Sequence, residues 1–486
     1  MTTLNDYRDE RLRKLRQIRE LGINPYPAKS HRNTKIATIL NHFEEKNGQQ
    51  VCIAGRIVAI RTFGKIAFVK LRDYSGEVQI FMEKTDNVSD KMFGIKQLKL
   101  LDTGDFVEAT GIVGKSSTGE ISVFTNEIRL LTKSLRPLPG YDGLTNKEER
   151  YRRRYVDMNV NPEVRERLVR RSKFWQATRD FMNAHGFIEI NTPVLETTTG
   201  GADANPFVTH MDALDSDYYL RISQELPLKR LLGGGFEKVY DIGPRFRNEG
   251  VDDEHLPEHI AFESYAAYED YEDGMALYEE MIKYVAKETW GTLQFNVGGF
   301  EINLDQEWPR IKYADLLKDK FNIDVFNPNR DQMLNILQEN HVTVDPNAND
   351  GRLIDHLWKL IRKTSAGPYW LVEEPLSLSP LAKISDENPL VTQRFHPIIA
   401  GTEMGNGYSE LNDPLDQLAR FEEQQAMRDN GDDEAQMLDM DFVEMLEYGM
   451  PPACGWGNSE RNFWLLEGVS GREAVPFPII KKRNED

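Results

Sequence analysis

Arginines and carboxylates recur in this chain at spacings suited to a phosphorylated ligand. The most distinctive stretch is Val239-Tyr240-Asp241-Ile242-Gly243-Pro244-Arg245-Phe246-Arg247-Asn248-Glu249-Gly250, followed by His255, Pro257, Glu258 and His259 and then by Phe262-Glu263-Ser264-Tyr265. A strand delivers Phe-Arg-x-Glu to a loop, and the chain returns as a second strand carrying Glu-x-Tyr. The guanidinium of Arg247 can grip a carboxylate and a phosphate in bidentate fashion, and Glu249 can accept from an adenine amino group. A surface salt-bridge network uses the same residue types but does not readily produce this order. In a second stretch, Glu403-Met404-Gly405-Asn406-Gly407-Tyr408-Ser409-Glu410-Leu411-Asn412-Asp413, Glu403 and Glu410 are acceptors seven positions apart on a glycine-rich strand or turn. Such carboxylates suit Mg2+ coordinated mostly by water and phosphate, although a solvated acidic turn has the same composition. A third stretch, Gly186-Phe187-Ile188-Glu189-Ile190-Asn191-Thr192-Pro193, feeds a helix end into a strand that stops at a proline. Taken alone it is ordinary structural punctuation.

The 486 residues that must position these groups are too many for one small module, and two or three domains are expected. A net charge of −19 argues against a protein that coats nucleic acid or membrane with its whole surface, so an RNA partner needs a local basic face. That face is visible in Lys147 to Lys173, which includes Arg150, Arg152, Arg153, Arg154, Arg165, Arg167, Arg170 and Arg171. No apolar run approaches the roughly 18 residues of a membrane span, so the expected compartment is the cytoplasm, with no membrane partner. Cys52 and Cys454 are the only cysteines, which excludes a disulfide scaffold and a cysteine zinc site. Tyr7 to Leu21 reads as a basic amphipathic helix, either a solvated surface element or an RNA-contacting arm, stopped at Gly22. Five short β-rich runs follow: Val51 to Ile60, Ile66 to Leu71, Glu77 to Glu83, Asp105 to Val113 and Glu120 to Leu131. With a helical insert near Asp90 to Leu98 they suit an OB-type barrel, whose usual ligand is single-stranded nucleic acid. The expected layout is a helical extension over 1–49, the barrel over 50–135, a proline-bearing linker over 136–150 and one α+β catalytic domain over 151–486. In that domain, a helix over Arg170 to His185 and strands over Phe187 to Ile190 and Lys238 to Ile242 are predicted, while Trp290 to Leu376 is the least readable part.

The strand-loop-strand segment around Arg247 resembles motif 2 of the class II aminoacyl-tRNA synthetases. Gly455-Trp456-Gly457-Asn458-Ser459-Glu460-Arg461 resembles their motif 3, whose arginine clamps the γ-phosphate, and the segment at Pro193 resembles motif 1. The resemblance runs from about Asp6 to Lys481 and is nearest to the bacterial-type lysyl enzymes. Ser223-Gln224-Glu225-Leu226-Pro227-Leu228-Lys229 carries Glu225 where the aspartate and asparagine enzymes carry glutamine. The resemblance implies an antiparallel-sheet catalytic domain behind an OB-fold barrel, acting as a lysine–tRNA ligase. Lysine would attack the α-phosphate of ATP to give lysyl-adenylate, and the tRNA(Lys) 3′ end would then take the lysyl group. It further implies L-lysine held by Glu225, Glu263, Tyr265, Asn406, Tyr408 and Glu410. ATP would lie against Arg247, Glu249, His255, His259, Glu403 and Arg461, with Arg247 and Arg461 catalytic and Mg2+ on Glu403 and Glu410. The anticodon would be read by Arg61, Phe68, Gln79 and Glu127, and a homodimer would form through motif 1. An ammonium taken out of water independently calls for carboxylates around it. Four positions depart from the family pattern. The motif 3 run is one residue short with Ser459 near its third glycine, His259 replaces the phenylalanine that stacks on adenine, and Leu256 replaces an asparagine. Asn205 also stands where arginine is common. The competing readings are a ligase that lysylates a protein, of a type that lacks the barrel, and a catalytically silent RNA-binding paralogue.

Overall fold

The computed structural model describes residues 4–139, 144–345, 348–430 and 435–481. Part of the expected linker, 140–143, lies outside them. The chain forms two compact units, one of residues 1–146 with 155–160 and the other of 147–154 with 161–486. Among the described residues no helix is long and apolar enough to cross a membrane.

In the first unit, helix α1 (Leu4–Glu20) buries Leu15 and Ile18, the latter as part of the barrel core, and stops before Gly22, whose φ of 72° is left-handed. Its basic residues divide in two. Arg11 is buried and donates to the Thr103 and Ser134 carbonyls, and Lys14 pairs with Asp102 at 2.7 Å, whereas Arg8, Arg16 and Arg19 face solvent. The helical extension is thus packed onto the barrel as part of one unit. Strands β1 (Gln50–Phe63), β2 (Ile66–Arg72), β3 (Glu77–Glu83), β4 (Phe106–Lys115) and β5 (Ile121–Thr125) pair in the order β1-β2-β3-β5-β4, and β1 pairs with β4 to close the barrel. Inward positions such as Ile53, Ala67, Val69, Ile80, Val107 and Val123 are fully buried, as alternation along each strand requires.

Two details differ from the sequence expectation. The run Glu120 to Leu131 is not one strand but β5 and β6 (Arg129–Thr132), broken where Thr125 Oγ1 donates to the Glu127 carbonyl and Ile128 bridges to Phe93. The insert is a 3₁₀ turn over Ile95–Leu100 rather than an α-helix, anchored by buried Leu98 and Leu100.

The second unit is built on a mixed sheet of nine strands. Helix α2 (Pro162–Ala184) starts earlier than predicted, at a proline whose missing N–H costs nothing in the first turn. Strand β7 (Ile188–Glu189) runs parallel to β8 (Lys238–Phe246), which pairs antiparallel with β9 (Glu258–Ala267). The least readable region supplies β10 (Arg310–Lys312) and β11 (Tyr369–Val372), which are parallel to each other, and beyond it come β12 (Arg394–Ile399), β13 (Thr402–Glu403), β14 (Gly405–Ser409) and β15 (Ala453–Ser459). The order is β10-β11-β12-β14-β15-β9-β8-β7, with β13 on β12. The sheet is antiparallel through its centre and parallel only at the two ends. Behind it, helix α4 (Tyr271–Trp290) packs Tyr278, Met281 and Val285 into the largest apolar core. Helix α3 (Glu225–Gly233) lies between these elements in sequence and packs on β8 and β9.

Candidate active site and anticodon face

Side chains of β8, β9, β14, β15 and α3 surround one cavity of about 380 Å³. Its wall includes Arg247, Glu249, His255, His259, Glu403 and Arg461, every residue expected to handle the nucleotide, and Glu225, Glu263, Tyr265, Asn406 and Tyr408 of the expected lysine set. Glu410 is not on the wall. It is 1% exposed and forms an ion pair with the fully buried ammonium of Lys229.

The acidic end is assembled by strand alternation. Glu263 and Tyr265 share a face of β9, and β15 crosses beneath them with glycine at 455 and 457, where any side chain would collide. A Cβ at Gly455 would meet Glu410 and the Tyr265 ring, and one at Gly457 would come 2.8 Å from Glu263 Cγ. Glu263 Oε1 accepts from Ser223 Oγ at 2.8 Å and faces Arg245 Nη1 at 3.4 Å, while Oε2 accepts from the Tyr265 hydroxyl at 3.1 Å. Glu225 Oε1 accepts from the Tyr408 hydroxyl at 2.6 Å and from Lys229 Nζ at 2.5 Å. Burial pushes the Glu263 carboxyl up, against the pull of Arg245, and pushes Glu410 up to about 8. Burial alone would lower Lys229, but Glu225 and Glu410 outweigh it and hold it protonated. Tyr265 and Tyr408 are driven well above the ordinary phenol range by burial among carboxylates, so both remain hydrogen-bond donors. This end is therefore a dry, preorganised acceptor for a cation.

The other end is cationic. Arg247 leaves β8 just after Phe246, its backbone tied to the Pro257 carbonyl, and its buried Nε has no hydrogen-bond partner. An anion seated there would supply one. Arg461 opens helix α5 (Arg461–Glu467), with its N–H held by Ser459 Oγ at 3.2 Å. The preceding Glu460 is locked by Arg171 at 2.6 Å and by the Ile260 N–H at 3.0 Å. The shortened motif 3 thus leaves β15 in unbroken register with β9 and β14, and Arg461 still reaches the cavity. His259 is pushed well below the usual imidazole range by burial and by Arg245 and Arg247, so it presents a neutral ring. His255 is bound to Asp252 at 2.8 Å and stays half-exposed.

Glu403 lies at the cavity wall, where Trp358 Nε1 donates to it at 2.5 Å. Burial raises its carboxyl, but His396, Arg362 and the Trp358 bond outweigh that and keep it below its usual value. Among the described residues no three metal-type side chains converge. The donor set thus fits a cation held by one carboxylate, waters and phosphates, as Mg2+ commonly is. Of the expected Glu403–Glu410 pair, Glu403 lines the cavity, while Glu410 lies off its wall with Oε2 on Lys229. Sequence reasoning passed over Lys229, Arg245 and the buried Glu374, which is held down to about 2 by Arg394 and His396 against its burial. For Lys229 a signal existed in its position one helical turn after Glu225.

On the barrel, Arg61, Phe68 and Gln79 share one outward face of β1, β2 and β3, with Arg61 opposite Phe68 in register. Phe68 is half-buried outside the apolar core, edge-on to Phe63 and Phe81 at 6.1 and 5.3 Å, and Phe81 continues the strip to Phe124. Such a strip can stack bases. Gln79 is bound to Ser122 at 2.9 Å. Glu127 lies in the turn after β5, where it accepts from the Ser89 N–H and hydroxyl at 2.6 and 2.7 Å.

Comparison with known proteins agrees with this layout. The family model for class II tRNA synthetases (D, K and N) matches residues 146–481, and that for the OB-fold nucleic acid binding domain matches 51–131. The chain is 43% identical to the lysine–tRNA ligase of Fervidobacterium nodosum, over 99% of this chain and 95% of that one. It is 42% identical to that of Thermotoga maritima, over 99% and 97%. With that of Carboxydothermus hydrogenoformans the identity is 43% over 99% of both chains.

Proposed function

The chain belongs to the class II tRNA synthetases, among their lysine–tRNA ligases, and on that footing we propose how its residues divide the work. The enzyme joins L-lysine to tRNA at the expense of ATP, in the cytoplasm, with tRNA(Lys) as the partner. The single observation that carries the assignment is the polarity of one cavity, with buried carboxylates and neutral phenols at one end and, at the other, the guanidinium groups of Arg247 and Arg461, which form no ion pair among the described residues. The ε-ammonium of lysine enters the acidic end, where Glu225 and Glu263 meet it and Tyr265, Tyr408 and Asn406 complete its hydrogen bonds. That placement directs the lysine carboxylate toward Arg247. An uncharged analogue would leave a buried carboxylate without a counter-ion, which gives discrimination without an editing site.

ATP lies against His259, whose neutral ring stacks on adenine in place of a phenylalanine, with Glu249 accepting from the adenine amino group and His255 beside the phosphates. Arg247 holds the lysine carboxylate and the α-phosphate together for in-line attack, and Arg461 draws the leaving pyrophosphate away. No side-chain nucleophile takes part. The barrier falls through positioning and charge neutralisation at the phosphates. Glu403 would hold Mg2+, which would supply further neutralisation of phosphate charge. Glu403→Gln should therefore raise the Mg2+ concentration needed for half-maximal lysine-dependent pyrophosphate exchange by about tenfold, with little change in the KM for lysine. An unchanged Mg2+ requirement would remove Glu403 from the metal assignment.

The enzyme is proposed to be a homodimer through the segment around Pro193. Support comes from the short edge strand β7 and from the exposed apolar side chains of Val169, Ile188, Leu195 and Val208 on and near that segment. A two-fold interface is also the commonest symmetry. Light scattering at micromolar concentration should give twice the chain mass, and a monomer mass there would remove this part of the proposal.

A further inference from the structure

Beneath the wall of the acidic pocket, Lys229 does more than fill space. Its side chain is fully buried, its ammonium contacts both Glu225 and Glu410, and the Tyr408 ring lies 5.4 Å from it. Three carboxylates, Glu225, Glu263 and Glu410, stand in this region against two fixed cations, Lys229 and Arg245. One negative charge is left over. A substrate ammonium would cancel it. Burying an ion pair solely for stability is inefficient, since apolar side chains of similar volume usually do as well. We infer that Lys229 is a specificity-determining positioning residue: with Glu410 as its counter-ion it fixes the Glu225 carboxylate and sets the pocket at one surplus negative charge, matched to a single ammonium.

This inference rests on the reading that Glu225 and Glu263 receive the substrate ammonium. It predicts a rescue that a structural role does not. Lys229→Met keeps the length of the side chain and removes the charge, leaving two surplus negative charges and a Glu225 carboxylate no longer fixed in place. The KM for lysine in pyrophosphate exchange should rise on the order of 100-fold, with the KM for ATP within about twofold of the parent. Glu410→Gln strands Lys229 and leaves no surplus charge, so it should raise the KM for lysine at least about tenfold. The double variant Lys229→Met/Glu410→Gln restores the single surplus charge. Its KM for lysine should return to within about tenfold of the parent, better than Lys229→Met alone.

Losses that multiply in the double variant, or a Lys229→Met enzyme with the parental KM for lysine, would overturn the inference. If Lys229→Met alone fails to fold, a double variant that folds and uses lysine upholds it, and one that also fails overturns it. Glu225→Gln and Glu263→Gln measured alongside separate the two levels. Parental lysine kinetics in both would sink the pocket assignment itself, whereas impairment in both together with multiplying losses would remove only the role of Lys229.

Discussion

Glu225→Gln and Glu263→Gln are each expected to cost on the order of 2 to 4 kcal/mol in kcat/KM for lysine while leaving the KM for ATP nearly unchanged. Both substitutions keep the shape of the side chain and remove a charge from a site with almost no water. Glu263 is 5% exposed and shares its oxygens among Ser223, Arg245 and Tyr265, and Glu225 is likewise 5% exposed and bound by Tyr408 and Lys229. An amide at either position brings N–H donors against donors, so the loss includes both the missing attraction and a hydrogen bond that can no longer form. The nucleotide groups Arg247, His259 and Arg461 touch neither carboxylate through a hydrogen bond, which is why the effect should fall on lysine. Wild-type lysine kinetics in both variants would show that the ammonium goes elsewhere.

Phe68→Ala and Glu127→Ala should impair aminoacylation of tRNA by roughly 1 to 3 kcal/mol while pyrophosphate exchange stays near the parental rate. The barrel and the catalytic sheet belong to separate compact units with their own cores, so a lost base stack on β2 need not reach adenylate formation. Phe68 lies outside the barrel core, so truncating it removes a stacking surface without opening a core cavity. Glu127 also holds Ser89, and its loss loosens that loop as well as removing a polar reader. Equal damage to exchange and charging would mean the two residues are structural. Normal charging in both variants would mean that the anticodon is read elsewhere.

The residues easiest to read from the sequence were those fixed by short-range order. Glu263 and Tyr265 alternate on one strand, so periodicity places them on a common face, whereas Arg247, Glu249 and Arg461 just beyond strand ends were legible through their order in the motifs. Arg61, Phe68 and Gln79 were legible only through the family resemblance, and the pairing of β1, β2 and β3 then puts them on one face. The surroundings of Glu410 were harder to read because they depend on α3, almost two hundred residues earlier, which brings Lys229 against the carboxylate. Arg245 was hidden by its neighbour: alternation places it beside Arg247 in sequence, but only its pairing across β9 shows that it neutralises Glu263. The split of Glu120 to Leu131 escaped a pattern reading because apolar residues resume directly after the short polar turn Thr125-Asn126-Glu127, with Ile128 buried against Phe93. The parallel pairing of β10 with β11 depends on a crossover through 313–368 and that of β7 with β8 on one through 190–237, and local periodicity sets neither pairing.

The most direct measurement is ATP–pyrophosphate exchange with each of the standard amino acids in turn, at saturating ATP and Mg2+. A pocket with one surplus buried negative charge, flanked by neutral phenols, should support exchange with lysine and only background exchange with the other amino acids, aspartate and asparagine included. Exchange driven by aspartate or asparagine, or none with lysine while tRNA binding persists, would contradict the account.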